Sequence, residues 1–310
     1  MASLGEMFGA GGVATFMGLP KGDLSALAAD VVILGADGCT PYATVGHYCA
    51  GGPAAIRAGA AAYAANLGHM NFDIGGPVEG AARVVDAGDL TISAKDAAAN
   101  RATVARAVGQ VIDAGAVPVL IGGDDSLPIP MLQAFDARGR EVFILQVDAH
   151  IDWRDEVQGE RWGLSSTMRR ASEMRCVNGI VQVGQRGIGS ARMSDVSDAE
   201  RWGVRFVSGR AVARDGVGRA VDLIPEGADV VICFDCDALD PAIMPAVIGR
   251  TAGGLGYAQA LDLIEGVAAK ARIVGFDLVE FMPAQDVGDM GAMTAAQLLA
   301  AVVGVIARQA

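Results

Sequence analysis

The sequence predicts an α/β fold: three α/β/α layers around a mostly parallel sheet. Short runs of apolar, β-branched residues recur along the chain, and they are apolar at successive positions instead of alternate ones. Strands covered on both faces have this pattern. Ala-rich stretches with apolar residues at helical spacing stand between the runs, the alternation expected of βα units. Residues 31–34 (VVIL) form the first strand and the Ala-rich stretch 54–67 the first helix. Helical spacing returns over 95–114, ahead of strands at 117–121 (VPVLI) and 142–147 (VFILQV). Two more strands follow at 180–183 (IVQV) and 204–207 (VRFV), then a helix over 210–223. The series closes with strand 230–234 (VVICF), helix 257–271, strand 273–276 (IVGF) and helix 294–308. No linker, low-complexity segment or internal repeat interrupts it, so residues 1–310 read as one domain.

Composition narrows the function classes. The chain is 52% hydrophobic, enough for a large core, and carries a formal net charge of -12. No basic block exists to neutralise phosphates, which excludes a nucleic-acid partner, whereas an acidic surface is compatible with small cationic substrates. The five cysteines are an odd number without framework spacing, as expected for reduced thiols in the cytoplasm. No charged n-region precedes an apolar h-region, and no run reaches the roughly 18 apolar residues of a membrane span. These features predict a soluble cytoplasmic protein without a membrane partner.

Acids cluster where the strands end. Asp148, His150 and Asp152 follow one apolar run, and Asp235 and Asp237 another. In an extended segment, residues at i, i+2 and i+4 face one way, so each set can converge. Four carboxylates and an imidazole gathered at one sheet end repel each other unless cations sit between them. The chemistry predicted is a metal site with two ions. Gly122-Gly123-Asp124-Asp125-Ser126 and Glu280 fall at two further strand ends, and ligands of parallel sheets bind beyond the carboxyl ends of strands. Cys233 and Cys236 fall on opposite faces of their strand, so Cys236 reads as core packing.

With these residues assembled, the chain resembles the ureohydrolases, the arginase and agmatinase family, over most of its length. Gly52-Pro53-Ala54-Ala55-Ile56-Arg57 is similar to the family's GPxxIR element and Asp86-Ala87-Gly88-Asp89 to its DxGD. Residues 122–126 stand where the family has GGDHS, 148–152 match DAHxD, 234–241 match FDxDxxDP, and Val279-Glu280 with Pro283 resembles VExxP. The resemblance implies an arginase-like fold and two divalent ions, manganese or alternatively nickel, that supply hydroxide near neutral pH. It implies that Asp148 and Asp235 bridge the ions, that Asp152 completes one site, and that His150 and Asp237 complete the other. Glu280 would hold the guanidinium of a small cationic substrate such as agmatine, guanidinobutyrate, guanidine or a biguanide. Hydrolysis would release an amine and leave urea or a urea derivative. Trimers or hexamers are also implied.

Two departures from the family pattern carry expectations of their own. Asp125 replaces a histidine ligand; carboxylate oxygen suits hard ions, and five carboxylates against two dications leave about one negative charge. Asp124 is an alternative ligand there. Ser165, in Gly163-Leu164-Ser165-Ser166-Thr167, stands where many members carry a histidine that shuttles protons to the leaving amine. Serine cannot act as a general acid near pH 7. His47 is the candidate substitute, and His69 reads as structural. Trp153, directly after Asp152, is placed either over a substrate cation or beneath the rim. An alternative to a self-sufficient enzyme is a non-catalytic subunit paired with an intact paralogue, as in the hetero-oligomeric metformin hydrolases. A deacetylase on a related fold does not match the FDxDxxDP and Val279-Glu280 pattern.

Overall fold

The computed structural model describes residues 14–309 apart from 79, 81 and 190. Its strands are β1 (Val31–Gly35), β2 (Val84–Asp89), β3 (Val117–Ile121), β4 (Val142–Val147), β5 (Val177–Val183), β6 (Arg205–Val207), β7 (Asp229–Asp235) and β8 (Arg272–Val279). They form one sheet in the order β2-β1-β3-β8-β7-β4-β5-β6, and every neighbouring pair is parallel. Between them stand helices α1 (Gly52–Ala60), α2 (Ala97–Asp113), α3 (Pro128–Asp136), α4 (Thr167–Ala171), α5 (Met193–Trp202), α6 (Gly209–Asp215), α7 (Gly218–Asp222), α8 (Tyr257–Ala268) and α9 (Met290–Ala307).

Alternate strand residues serve two cores, which is why the strands read as continuously apolar. Val31, Ile33, Leu145, Val147, Ile232 and Phe234 pack beneath α1, α8 and α9. Val32, Leu34, Ile144, Val231 and Cys233 face α2, α3 and α4 on the other side. Cys236 lies in the first core and Cys233 in the second, so the two thiols do occupy opposite faces. Helix starts follow local chemistry. Asp96 caps α2 by accepting from Ala99 N at 2.9 Å, and Ser208 caps α6 by accepting from Ala211 N at 3.2 Å.

The sequence reading missed four elements, among them the five-residue α4, and misjudged two. β2 (VVDAGD) is an edge strand with aspartates in its run. α3 carries two prolines, tolerated here because they fall in its first turn. α5 is polar, with only Ala199 buried. The single helix expected over 210–223 is two, broken at Gly216, whose φ of 76° favours glycine. α9 is also long and apolar enough by composition to span a membrane, contrary to expectation. Its residues are mostly buried on all sides, as in a core helix, and it packs against α1 and α8.

Two motifs of the N-terminal half meet each other away from the acid clusters. Arg57 of α1 donates from Nε and Nη2 to Asp86 at 2.7 and 2.9 Å, and from Nη1 to Asp89 at 2.5 Å. Arg57 is 6% exposed and Asp86 fully buried. Arg57→Ala leaves Asp86 buried with its charge unpaired, so a stability loss of about 3–5 kcal/mol is expected. Urea midpoints of the two proteins check it.

Candidate metal centre

The acids come from four strands that stand side by side, β3, β8, β7 and β4, at their carboxyl ends. Gly122 and Gly123 turn the chain after β3 with φ of 84° and 76°. A Cβ on Gly123 would lie 2.9 Å from Ala36 O, so the turn needs glycine for space as well. It places Asp124 and Asp125 in opposite roles. Asp124 is tied to the loops, accepting from Cys39 N at 3.0 Å and from Ser126 N at 3.2 Å. Asp125 Oδ2 is buried and has no hydrogen-bond partner among the described residues.

Convergence of the other ligands has a different origin from the one expected. β4 ends at Val147 and β7 at Asp235, so neither cluster is extended. Bends replace the strand. His150 N donates to Asp148 Oδ1 at 2.6 Å, and Asp237 N donates to Asp235 Oδ1 at 2.6 Å, each carboxylate folding its own chain over by two residues. Asp152 takes a left-handed φ of 43°. His150 Nδ1 then lies 3.1 Å from Asp237 Oδ2 and 3.4 Å from Asp148 Oδ1. Ala149 N donates to Asp237 Oδ1 at 3.1 Å and joins the two clusters.

Two groups of donor atoms result, each within 4.8 Å: Asp148, His150 and Asp237, and Asp125, Asp148 and Asp235. Asp148 belongs to both. Asp152 is brought alongside by Gln146, whose Nε2 donates to Asp148 Oδ2 and Asp152 Oδ2, both at 2.7 Å. Glu280, with a φ of 64°, accepts from Asp125 N at 2.8 Å and from the Tyr48 hydroxyl, both on Oε1. This donor set fits divalent ions. It is rich in carboxylate oxygen, it is buried, and the Asp125 oxygen that no donor among the described residues meets is what a cation would satisfy.

Electrostatics point the same way. Burial, then the charges of Asp152 and Asp148, pushes the Asp125 carboxyl well above the carboxylate range. Burial and Asp148 raise Asp152, and burial with Asp237 and Asp148 raises Asp235. Burial also acts upward on Asp148, but hydrogen bonds with His150 and Asp152 hold it at about 2. His150 goes up to about 12 against its burial, through its bonds to Asp148 and Asp237. Burial lifts Glu280 from 4.5 to about 8.

A stability prediction follows for protein held in chelator. An acid raised on folding binds more protons folded than unfolded between its two pKa values. Its contribution is therefore full below the unfolded value and lost as pH rises through the folded one. For Glu280 that window runs from 4.5 to about 8. Tm in chelator should fall across it, and a Tm that rises would contradict the placement.

The remaining candidates lie around the cluster. His47 packs on Gly38, where a Cβ would stand 2.7 Å from His47 Nδ1 and 3.0 Å from Asp124 Oδ2. It lines a cavity of about 480 Å³ with Tyr42, Lys95, Gln158 and Glu160. No hydrogen bond joins it to the acids among the described residues. Ser165 sits on a 3-10 turn (Leu164–Ser166), where its amide donates to the Tyr42 hydroxyl at 3.1 Å. Trp153 as a substrate-stacking residue is corrected: it is 2% exposed and meets Trp202 edge-on at 6.2 Å. Its Nε1 donates to Asp198 at 2.9 Å, so it packs beneath the rim.

Three contributors escaped the sequence reading. Tyr48 holds Glu280. Arg186 donates to the carbonyls of Asp237, Leu239 and Thr251 at 2.6, 3.2 and 2.8 Å, fixing the turn after β7. Gln146 did leave a signal, a polar residue inside an apolar run.

Residues 29–304 match the arginase family. The chain is 29% identical to an agmatinase of Pyrococcus horikoshii, covering 94% of this chain and 96% of that protein. It is 28% identical to a guanidinobutyrase of Pseudomonas aeruginosa, over 95% and 92% of the two chains. It is 30% identical to proclavaminate amidinohydrolase of Streptomyces clavuligerus, over 92% and 90%. The solved structure of the Streptomyces clavuligerus proclavaminate amidinohydrolase superimposes with a TM-score of 0.85 at 29% identity, covering 97% of this chain and 99% of that one.

Proposed function

The chain belongs to the arginase family, whose members are metal-dependent amidinohydrolases, and we propose that it hydrolyses a small guanidino compound at a binuclear centre. One observation carries this reading. Glu280 has Oε1 bonded to Tyr48 and to Asp125 N, while its Oε2 has no hydrogen bond within the described residues. A free carboxylate oxygen beside the ion-holding groups is the acceptor a guanidinium N–H needs.

Asp125, Asp148, Asp152, Asp235, Asp237 and His150 would hold two divalent ions, manganese before nickel given the carboxylate-rich donors. When bound, such ions lower the pKa of water so that hydroxide is available near neutral pH. The chain's own residues do the rest. Glu280 positions the planar cation, and Tyr48, whose hydroxyl burial keeps protonated, holds Glu280 in place. The water oxygen adds to the guanidino carbon and the C–N bond breaks. A proton from the water goes to the departing nitrogen, leaving urea or a urea derivative and an amine. Asp152 accepts that proton at the oxygen Gln146 leaves free, and His47 serves the leaving amine from the cavity side.

The test is metal content of the purified chain, with amine and urea release from agmatine, guanidinobutyrate, guanidine, N-methylated guanidines and a biguanide. Close to two ions per chain and turnover of at least one compound are expected. Ion-free protein after incubation with manganese or nickel, or no turnover of any compound by loaded protein, would overturn the reading.

A further inference from the structure

A row of polar side chains crosses the sheet one level below the acids. Gln182 of β5 pairs in register with Gln146 of β4, Gln146 with Cys233 of β7, and Cys233 with Asp277 of β8. All four are buried. Asp148 directly follows the end of β4 and Asp235 ends β7, each two residues beyond its member of the row, so this row is the floor of the acid cluster.

The hydrogen bonds along the row have one direction. Gln182 Nε2 donates to Ile151 O at 2.8 Å and to Gln146 Oε1. With its oxygen engaged, Gln146 must turn its amide nitrogen toward the acids, and both N–H groups are used there. The two recipients are held unequally. Asp148 is gripped at both oxygens, by Gln146 on Oδ2 and by His150 N on Oδ1. Among the described residues, the Asp152 carboxylate takes a hydrogen bond from no N–H donor but Gln146. It also sits on a left-handed residue outside any strand. Beside its contact with Asp148, the Asp152 carboxylate therefore depends on Gln146 for its orientation.

We propose that Gln146, aligned by Gln182, is a positioning residue that sets the affinity of one of the two ion positions, the one Asp152 serves. The other, built on Asp148, His150 and Asp237, depends on it less, because His150 N also holds Asp148 at Oδ1. This rests on the binuclear reading above. Groups that orient a metal ligand typically change affinity by about 10–100-fold when removed.

Calorimetric titration of chelator-stripped wild type, Gln146→Leu and Gln182→Leu with manganese, and then with nickel, tests the assignment. Wild type should take up two ions of either metal. In Gln146→Leu one site should weaken by about 10–100-fold while the other weakens much less. Gln182→Leu leaves both donors but frees the amide to turn, so the same site should weaken by less. Unchanged affinities, or equal losses at both sites, overturn the proposal while leaving the binuclear reading intact. Wild type that takes up neither metal overturns both. Should Gln146→Leu fail to fold, Gln182→Leu decides alone, a one-site loss supporting the assignment and any other pattern ending it.

Discussion

Asp148→Ala is expected to abolish ion uptake at both positions and reduce hydrolysis to background, a loss on the order of 10⁴-fold or more. Asp148 is the one acid that belongs to both groups of donor atoms. It is also the acid held at about 2, and so ionised throughout the neutral range. Its neighbours Asp125, Asp152 and Asp235 are all pushed the other way. Removing Asp148 takes away the shared donor and the hydrogen-bond acceptor that turns His150 into the site. Metal content and turnover measured on one preparation check it. Retained uptake of one ion would contradict the sharing of Asp148, and retained turnover would contradict the binuclear mechanism.

Glu280→Gln should lower kcat/KM for a guanidino substrate by on the order of 10²-fold with metal content unchanged. The amide is isosteric, and its oxygen can still accept from Tyr48 and from Asp125 N. What is lost is the carboxylate facing the guanidinium, whose pKa burial raises in stripped protein but which positive charge from ions and substrate would keep ionised. A hydrogen bond to a charged group contributes about 1.5–3 kcal/mol, which converts to roughly 10–150-fold. The loss should appear mainly in KM if Glu280 holds ground state and transition state alike. Wild-type KM in this variant would show that the guanidinium is bound elsewhere.

Much of this architecture was legible in the sequence, and the illegible parts have physical causes. Residues 142–147 and 230–234 were readable as strands because both faces of each are covered. The acids after them were readable as a cluster. Strand order was not, because a parallel sheet joins its strands through long crossovers and local sequence carries no adjacency. β2 was hidden by Asp86, which serves Arg57 and not the apolar core. Convergence of the acids was foreseen, but its cause was misassigned, since an extended chain and an Asx turn can bring the same residues together. Trp153 illustrates a deeper limit. Its place beneath the rim depends on Asp198 and Trp202, both on α5, a helix too polar to be recognised from its own residues. Gln146 and Gln182 are polar residues in apolar strands, a signal the sequence reading passed over, and their role is apparent only once β4 and β5 are paired in register.

The side-by-side placement of β3, β8, β7 and β4 also bears on how the chain reaches its final form. Asp125 and Glu280 touch across 155 residues of sequence, so no short stretch can assemble the centre. Closing such loops costs entropy before any contact rewards it, and folding rates fall accordingly. Ions that need donors from three of these strands, β3, β4 and β7, can bind tightly only after those strands have docked, late on the pathway. Their main kinetic effect should therefore be on escape from the native state. Loaded protein should unfold much more slowly than stripped protein, while the two refold at similar rates.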